Sequence, residues 1–186
     1  MSNTQETAGS FIRSLIIDII IAVLLAGVVL YFVRPTIVKQ SSMENTLQEN
    51  DYIIMYKRAY TNNTPERGDI VIFQSSLINQ ETGKDKLLIK RVIGLPGDEI
   101  SIRDNHLYLN GKLYPEDYIK DGFTPACDVP RDGETFTVPD GQYFVMGDNR
   151  VVSVDSRYTE VGCVSVDQIV GKAVLRLYPF NKIQRF

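Results

Sequence analysis

Residues 14–33 are apolar apart from Ser14 and Asp18, and this run limits the folds open to the chain more than any other feature. Twenty helical residues rise about 30 Å, the thickness of a bilayer's hydrocarbon core. Asp18 lies near the helix start, where the headgroups are within reach and the helix dipole favours an anion. A cleavable leader has a shorter apolar core and ends in small residues. This run ends instead in Tyr31-Phe32-Val33-Arg34-Pro35, an interfacial aromatic pair with no Ala-x-Ala. Residues 14–33 are therefore expected to form one uncleaved transmembrane anchor. Residues 1–10, which are polar, are expected to be a disordered tail. Positive charges are indecisive about orientation: Arg13 precedes the span and Arg34 and Lys39 follow it, leaning slightly against an outside domain.

After the anchor the pattern is that of strands separated by turns. Expected strands are 51–56, 69–73, 87–93, 99–102, 106–109, 112–114, 135–138, 142–146 and 169–178. Residues 74–86 read as a polar loop and 115–134 as an irregular, proline-bearing excursion. Asn110-Gly111 is a strong two-residue hairpin signal. No stretch beyond Val33 keeps a helical period over a dozen residues. The expectation is a mainly β domain over residues 35–186, a folded or barrel-like antiparallel sheet.

Composition closes off several kinds of chemistry. A net charge of −3 gives no electrostatic reason to expect nucleic acid as a partner. Cys127 and Cys163, the two cysteines, form no metal-ligand cluster, and sequence leaves open whether they pair. With a single histidine, any Ser-His-Asp triad would have to run through His106, which sits in a hairpin pattern and reads as structural.

Within Leu87-Leu-Ile-Lys-Arg-Val-Ile93, alternation puts Lys90 on one face with Leu88 and Val92, and Arg91 on the other with Ile89 and Ile93. A lysine on an apolar face must snorkel, find a carboxylate or lose its proton; in the last case desolvation leaves an amine able to act as a base near neutral pH. On the strand alone, a solvated edge lysine remains the plainer reading. A partner could come from Gln40-Ser41-Ser42-Met43-Glu44-Asn45-Thr46-Leu47, since a serine nucleophile needs a base and lysine is an established one. Arg67-Gly-Asp-Ile-Val-Ile-Phe73 reads as a turn and a core strand, whereas Met146-Gly-Asp-Asn-Arg150, followed by Ser153 and Asp155-Ser-Arg157, carries charges able to form a buried or half-buried ion-pair network or simply a turn with solvated charges.

In this order, anchor, Ser-Met with Thr46-Leu47, Arg-Gly-Asp-Ile-Val, Lys-Arg-Val-Ile-Gly-Leu-Pro-Gly-Asp and Gly-Asp-Asn-Arg-x-x-Ser-x-Asp-Ser-Arg, the chain strongly resembles bacterial type I signal peptidase. Gly171-Lys172-Ala173 fits as well. The resemblance implies a membrane-bound serine endopeptidase that removes signal peptides from exported preproteins, cut after small residues at the first and third positions before the bond. It implies Ser42 as nucleophile, Lys90 as neutral general base, Ser153 as the serine that orients the lysine, and Asp155 with Arg157 as a structural ion pair. Asp148, Asn149 and Arg150 would shape the surrounding box. The Ser42 backbone amide would donate to the oxyanion, with Gln40 as a second donor, and Met43, Leu88 and Ile89 would wall the specificity pockets.

The resemblance calls for no metal or cofactor. Besides preproteins, it implies the lipid bilayer and the secretion machinery as partners, with the domain on the extracytoplasmic side of the cell membrane. The chain departs from the family at Asn45, where proline is usual; asparagine can hold a similar turn through its side chain. From a different class, the rival is an inactive or specialised relative that binds preproteins or pilin-like subunits without cutting them. Retained Ser42, Lys90 and Ser153 argue against it. Among enzymes, a self-cleaving Ser-Lys repressor-type protein is disfavoured by the anchor. A Ser-His signal peptidase needs histidine where Lys90 stands, and a sortase needs catalytic Cys and His boxes.

Overall fold

The computed structural model describes residues 3–79 and 83–186, with side chains from residue 9 onward. The chain divides into two units at Arg34/Pro35. The first contains helix α1, Asn3–Phe32. Its stretch Gly9–Phe32 is long and apolar enough to cross a membrane, and its described side chains are exposed. The helix thus takes in residues 3–10, where a disordered tail was expected. Gln, Glu and Ala in that stretch are good helix formers, and an adjoining helix removes the cost of nucleation. At its other end the helix stops at Phe32, one residue before the expected end of the span, because Val33 opens a strand.

The second unit is mainly β. The strands are β1 Val33–Ile37, which spans the division, then β2 Tyr52–Tyr56, β3 Ile70–Ile78, β4 Asp85–Gly94, β5 Glu99–Arg103 and β6 His106–Leu109. They continue with β7 Lys112–Leu113, β8 Thr135–Thr137, β9 Gln142–Met146, β10 Val164–Ser165, β11 Ile169–Tyr178 and β12 Gln184–Arg185. Eight strands form one sheet in the order β1-β2-β11-β3-β4-β9-β10, with β12 pairing β11. The other four form a smaller sheet in the order β7-β6-β5-β8. The assigned strand pairings are antiparallel, and the mainly β antiparallel architecture is the expected one.

Alternation along β3 builds two cores at once. Ile70 and Ile72 pack with Val38, Met43, Leu47, Ile53, Met55 and Ala173, whereas Val71 and Phe73 pack with Leu88, Val92, Tyr143, Val145 and Val164. A third cluster, of Ile93, Ile100, Ile102, Leu107, Val138, Phe144 and Met146, joins the smaller sheet to the end of β4 and to β9. Asn110 and Gly111 both adopt positive φ, +52° and +75°, as a tight turn between β6 and β7 requires.

One connection differs from expectation. Residues 74–86 read as a loop, but β3 runs on to Ile78 and β4 starts at Asp85, with Ile78 opposite Asp85. The polar residues there are compatible with a strand because they alternate: Gln74 and Ser76 are exposed, while the buried Ser75 donates to the Lys86 carbonyl. Polarity marked the solvated end of the β3–β4 pair, and strand and loop share that signature. The pairing extends β4 and so anchors the strand that carries Lys90.

Candidate active site

Lys90 sits near the middle of β4, opposite Val71 and between Leu88 and Val92 on its own face. Its side chain is 1% exposed. The ammonium end points at a short 3-10 turn, Ser41–Met43, and Lys90 Nζ donates to Ser42 Oγ at 2.6 Å. The two residues lie 48 positions apart in sequence and meet because β4 and the turn pack together.

Burial is the largest influence on Lys90 and lowers its pKa. The Asp155 carboxylate opposes that shift, the cations Lys86 and Arg157 add to it, and Asp148 opposes it more weakly; the net result is a pKa of about 8. A substantial fraction of Lys90 is therefore a neutral amine near pH 8, able to take a proton from the hydroxyl it touches.

The Ser41–Met43 turn is held from two sides. From the Gly147 segment, Asn149 donates its backbone N–H to the Ser42 carbonyl at 3.0 Å and its side-chain amide to the Ser41 carbonyl at 3.1 Å. Gly147 presses against this same turn. A Cβ at position 147 would collide with the Ser42 carbonyl and with Ser153 Oγ, so only glycine fits. From residues 115–124, Asn45 donates to the Tyr118 carbonyl at 2.9 Å and Lys120 pairs with Glu44. The excursion is thus a strap against the turn.

Asn45 does not stand in for proline in a proline-like conformation. Its φ is +89°, whereas proline is confined to about −65°. Thr46 N–H donates to the Met43 carbonyl, and Glu44 has φ −55° and ψ 145°. Together these make a type II turn with Asn45 in the position that requires positive φ. Asparagine's known tolerance of that region was the one signal in the sequence for this geometry.

Asp155 and Arg157 form a bidentate pair, Nε to Oδ1 and Nη2 to Oδ2, both 2.9 Å, with both side chains fully buried. Burial works to raise the Asp155 pKa, but the Arg157 charge, its hydrogen bonds and the Gly147 amide outweigh that and hold the pKa below its usual value. Arg157 is further satisfied by the carbonyls of Pro125, Arg150 and Ser153. Ser153 is buried beside this pair, yet its Oγ makes no hydrogen bond of normal geometry; it acts on Asp155, whose ionised form it favours. The expected Ser153-to-Lys90 bond is not formed: Lys90 Nζ donates to Ser42 Oγ, and Ser153 Oγ has no hydrogen-bond partner among the described residues.

Arg91, on the opposite face of β4, grips Asp148 through Nε and Nη2 at 2.9 and 2.6 Å, donates to the Gly68 carbonyl and stacks over Tyr118 at 4.2 Å. Asp148 in turn accepts from Thr46. Arg150 pairs with Glu116 and donates to Thr124. The charged members of the box therefore brace the strap and the turn, and this role was not visible in the order of residues.

Two cavities border Ser42. One, of about 360 Å³, is lined by Val38, Gln40, Met43, Ile72 and Ile89 among others. The other, about 430 Å³, is lined by Ser41, Leu88, Lys90, Val152 and Val154. Gln40 and Ser42 border both, so two of the expected wall residues, Met43 and Ile89, fall in the first and Leu88 falls in the second. His106 lies elsewhere, on the smaller sheet, its ring against the Asp104 carbonyl. Both cysteines are free. Among the described residues no group of three or more His, Cys, Asp or Glu side chains is placed to hold a metal ion.

A family model described as signal peptidase, peptidase S26, matches residues 11–178. "Probable signal peptidase I-2" of Synechocystis sp. is 39% identical over 163 residues, 87% of this chain and 71% of that protein. Signal peptidase I T of Bacillus subtilis is 36% identical over 192 residues, covering 99% of this chain and 96% of its own. A crystal structure of a signal peptidase I from Enterococcus faecalis is 32% identical, covers 60% of this chain and 98% of that one, and superposes with a TM-score of 0.44.

Proposed function

Because the chain belongs to the signal peptidase, peptidase S26, family, we propose that it is a membrane-bound serine endopeptidase that removes signal peptides from exported preproteins. Ser42 is the nucleophile and Lys90 the general base. The observation that carries this reading is the 2.6 Å contact between a buried lysine amine and a serine hydroxyl at the junction of two cavities.

Neutral Lys90 removes the Ser42 hydroxyl proton as Oγ attacks the scissile carbonyl. The negative charge gathers on the carbonyl oxygen, where the Ser42 backbone N–H and a Gln40 amide are the donors. The resulting Lys90 ammonium then gives its proton to the departing amine, leaving an acyl-enzyme ester on Ser42. In the second half, neutral Lys90 deprotonates a water that attacks the ester, and the proton returns to Ser42 Oγ. Ser153, Asp155 and Arg157 are supporting residues: the ion pair fixes the segment behind the base, and its charges tune the base.

The cavities beside Ser42 receive the substrate residues before the bond, and Met43, Leu88 and Ile89 keep them small. Helix α1 is the candidate membrane anchor, single-pass, with residues 35–186 as the catalytic domain on the extracytoplasmic side. The bilayer and the secretion machinery are then partners.

A preprotein carrying Ala at the first and third positions before the cleavage site is the direct test, with the full chain in detergent. Wild type releases the leader, and Ser42→Ala and Lys90→Ala do not. Cleavage retained by Lys90→Ala overturns the dyad. Protease accessibility in intact cells reports which side the domain faces.

A further inference from the structure

Ser42 can act only if its turn is aimed, and the turn has an unusual joint. Within the type II turn Met43–Thr46, Asn45 takes φ +89° and turns its side chain out to the strap. There its Nδ2 group donates to two successive carbonyls, Tyr118 at 2.9 Å and Ile119 at 3.5 Å, more than seventy residues away. Those two acceptors are themselves immobilised. Tyr118 lies under the Arg91 guanidinium, and the Lys120 N–H donates to the Asp148 carbonyl at 3.0 Å. Arg91 and Asp148 hold each other, and Arg91 is the neighbour of Lys90 on β4. A rigid path thus runs from the strand that bears the base, through Arg91, Tyr118 and Asn45, to the turn that bears the nucleophile.

We propose that Asn45 is a positioning residue for catalysis: its amide clamps the nucleophile turn to the Tyr118 and Ile119 carbonyls and thereby aims Ser42 Oγ at Lys90. This rests on the peptidase reading above. Two properties of asparagine are needed together. Its backbone tolerates the left-handed region better than other residues with a Cβ, and its amide has two N–H groups to share between two carbonyls. Glycine meets the first need alone, aspartate presents an acceptor where a donor is required, and proline meets neither. The hydrogen bonds are solvent-exposed, where water competes for them, so their main effect is on aim and little on stability.

The test uses the full chain and three variants, Asn45→Gly, Asn45→Asp and Asn45→Pro. A misplacement on the order of 1 Å costs up to about a hundredfold in rate, so kcat is expected to fall about tenfold in the first two variants and about a hundredfold in the third. KM should stay within about twofold, as expected when ground-state binding is untouched. The acidic limb of the pH profile should not move, because the base keeps its surroundings. Hydrogen exchange over residues 41–47 and 118–120 should quicken in Asn45→Gly and Asn45→Asp.

Unchanged kcat in Asn45→Gly and Asn45→Asp overturns the proposal, as does unchanged exchange in those segments. So does a loss of kcat accompanied by a displaced pH limb. Should wild type cleave no preprotein, the peptidase reading fails instead, and the exchange arm by itself still upholds or overturns the clamp.

Discussion

The backbone of Gly147 lies against the carbonyl of Ser42, leaving no room for even a methyl group between them. This close approach lets Asn149 reach both Ser41 and Ser42 carbonyls, and it sets the distance between the Gly147 segment and the Ser42 turn. Gly147→Ala must push one of the two aside. Overpacking of this kind costs about 1–3 kcal/mol, and the same displacement should remove most activity. Chemical denaturation and kcat measured on the same preparation check this; a variant that keeps wild-type kcat would show that the contact yields without cost.

Activity should follow the ionisation of Lys90. Only the neutral amine accepts a proton, so kcat/KM should climb with pH up to about 8 and level off above it. A profile flat from about pH 5 upward would exclude a lysine base. An unperturbed lysine would instead place the limb near 10.5.

Lys90 should also cost the fold stability. Its pKa is about 8 in the native state against 10.5 for the free side chain. Below pH 8 both states are protonated and the native state bears the full penalty of a buried ammonium. Between those two values the unfolded chain binds the extra proton, so this group's contribution makes stability rise with pH. The full penalty is about 3 kcal/mol. Lys90→Met should therefore raise stability at pH 7 by about 1–3 kcal/mol while abolishing cleavage, the trade expected of a residue kept for function. Urea unfolding of the two proteins at pH 7 gives the comparison; a less stable Met variant would contradict it.

Asp155→Asn separates two effects. It leaves the Arg157 guanidinium buried without its counter-charge, which costs about 3–5 kcal/mol. It also removes the carboxylate that favours the Lys90 ammonium while Arg157 goes on repelling it, so the base titrates lower still. The acidic limb of whatever activity survives should shift to lower pH. A shift to higher pH would mean that Asp155 does not act on Lys90 through its charge.

How far the sequence could be read depended on whether a property was local. Alternation along β4 placed Lys90 and Arg91 on opposite faces, and the strand does so in the fold. The same reasoning failed at residues 74–78 and 85–86, because the solvated end of a strand pair and a loop are both polar. Ser153 was expected to bond Lys90, but the hydroxyl lies beside Asp155 and makes no normal hydrogen bond. Family resemblance names the residues of a box and cannot say which rotamer each adopts. The strap at 115–124 read as irregular, since its order comes from distant partners: Glu44, Asn45 and Arg91 on one side and Arg150 on the other.

The sequence by itself determined that one helix is apolar enough for a bilayer, that the rest is mainly β, and that Ser42 and Lys90 sit in matching boxes. The first two follow from period and composition, which each segment carries alone, and the third from the resemblance to the family's boxes. Only the tertiary structure decided that the two meet at 2.6 Å, that Lys90 is dry enough to titrate near 8, and that Asn45 takes a conformation closed to proline. Desolvation and long-range hydrogen bonds are properties of what surrounds a residue, and those surroundings come from elsewhere in the chain.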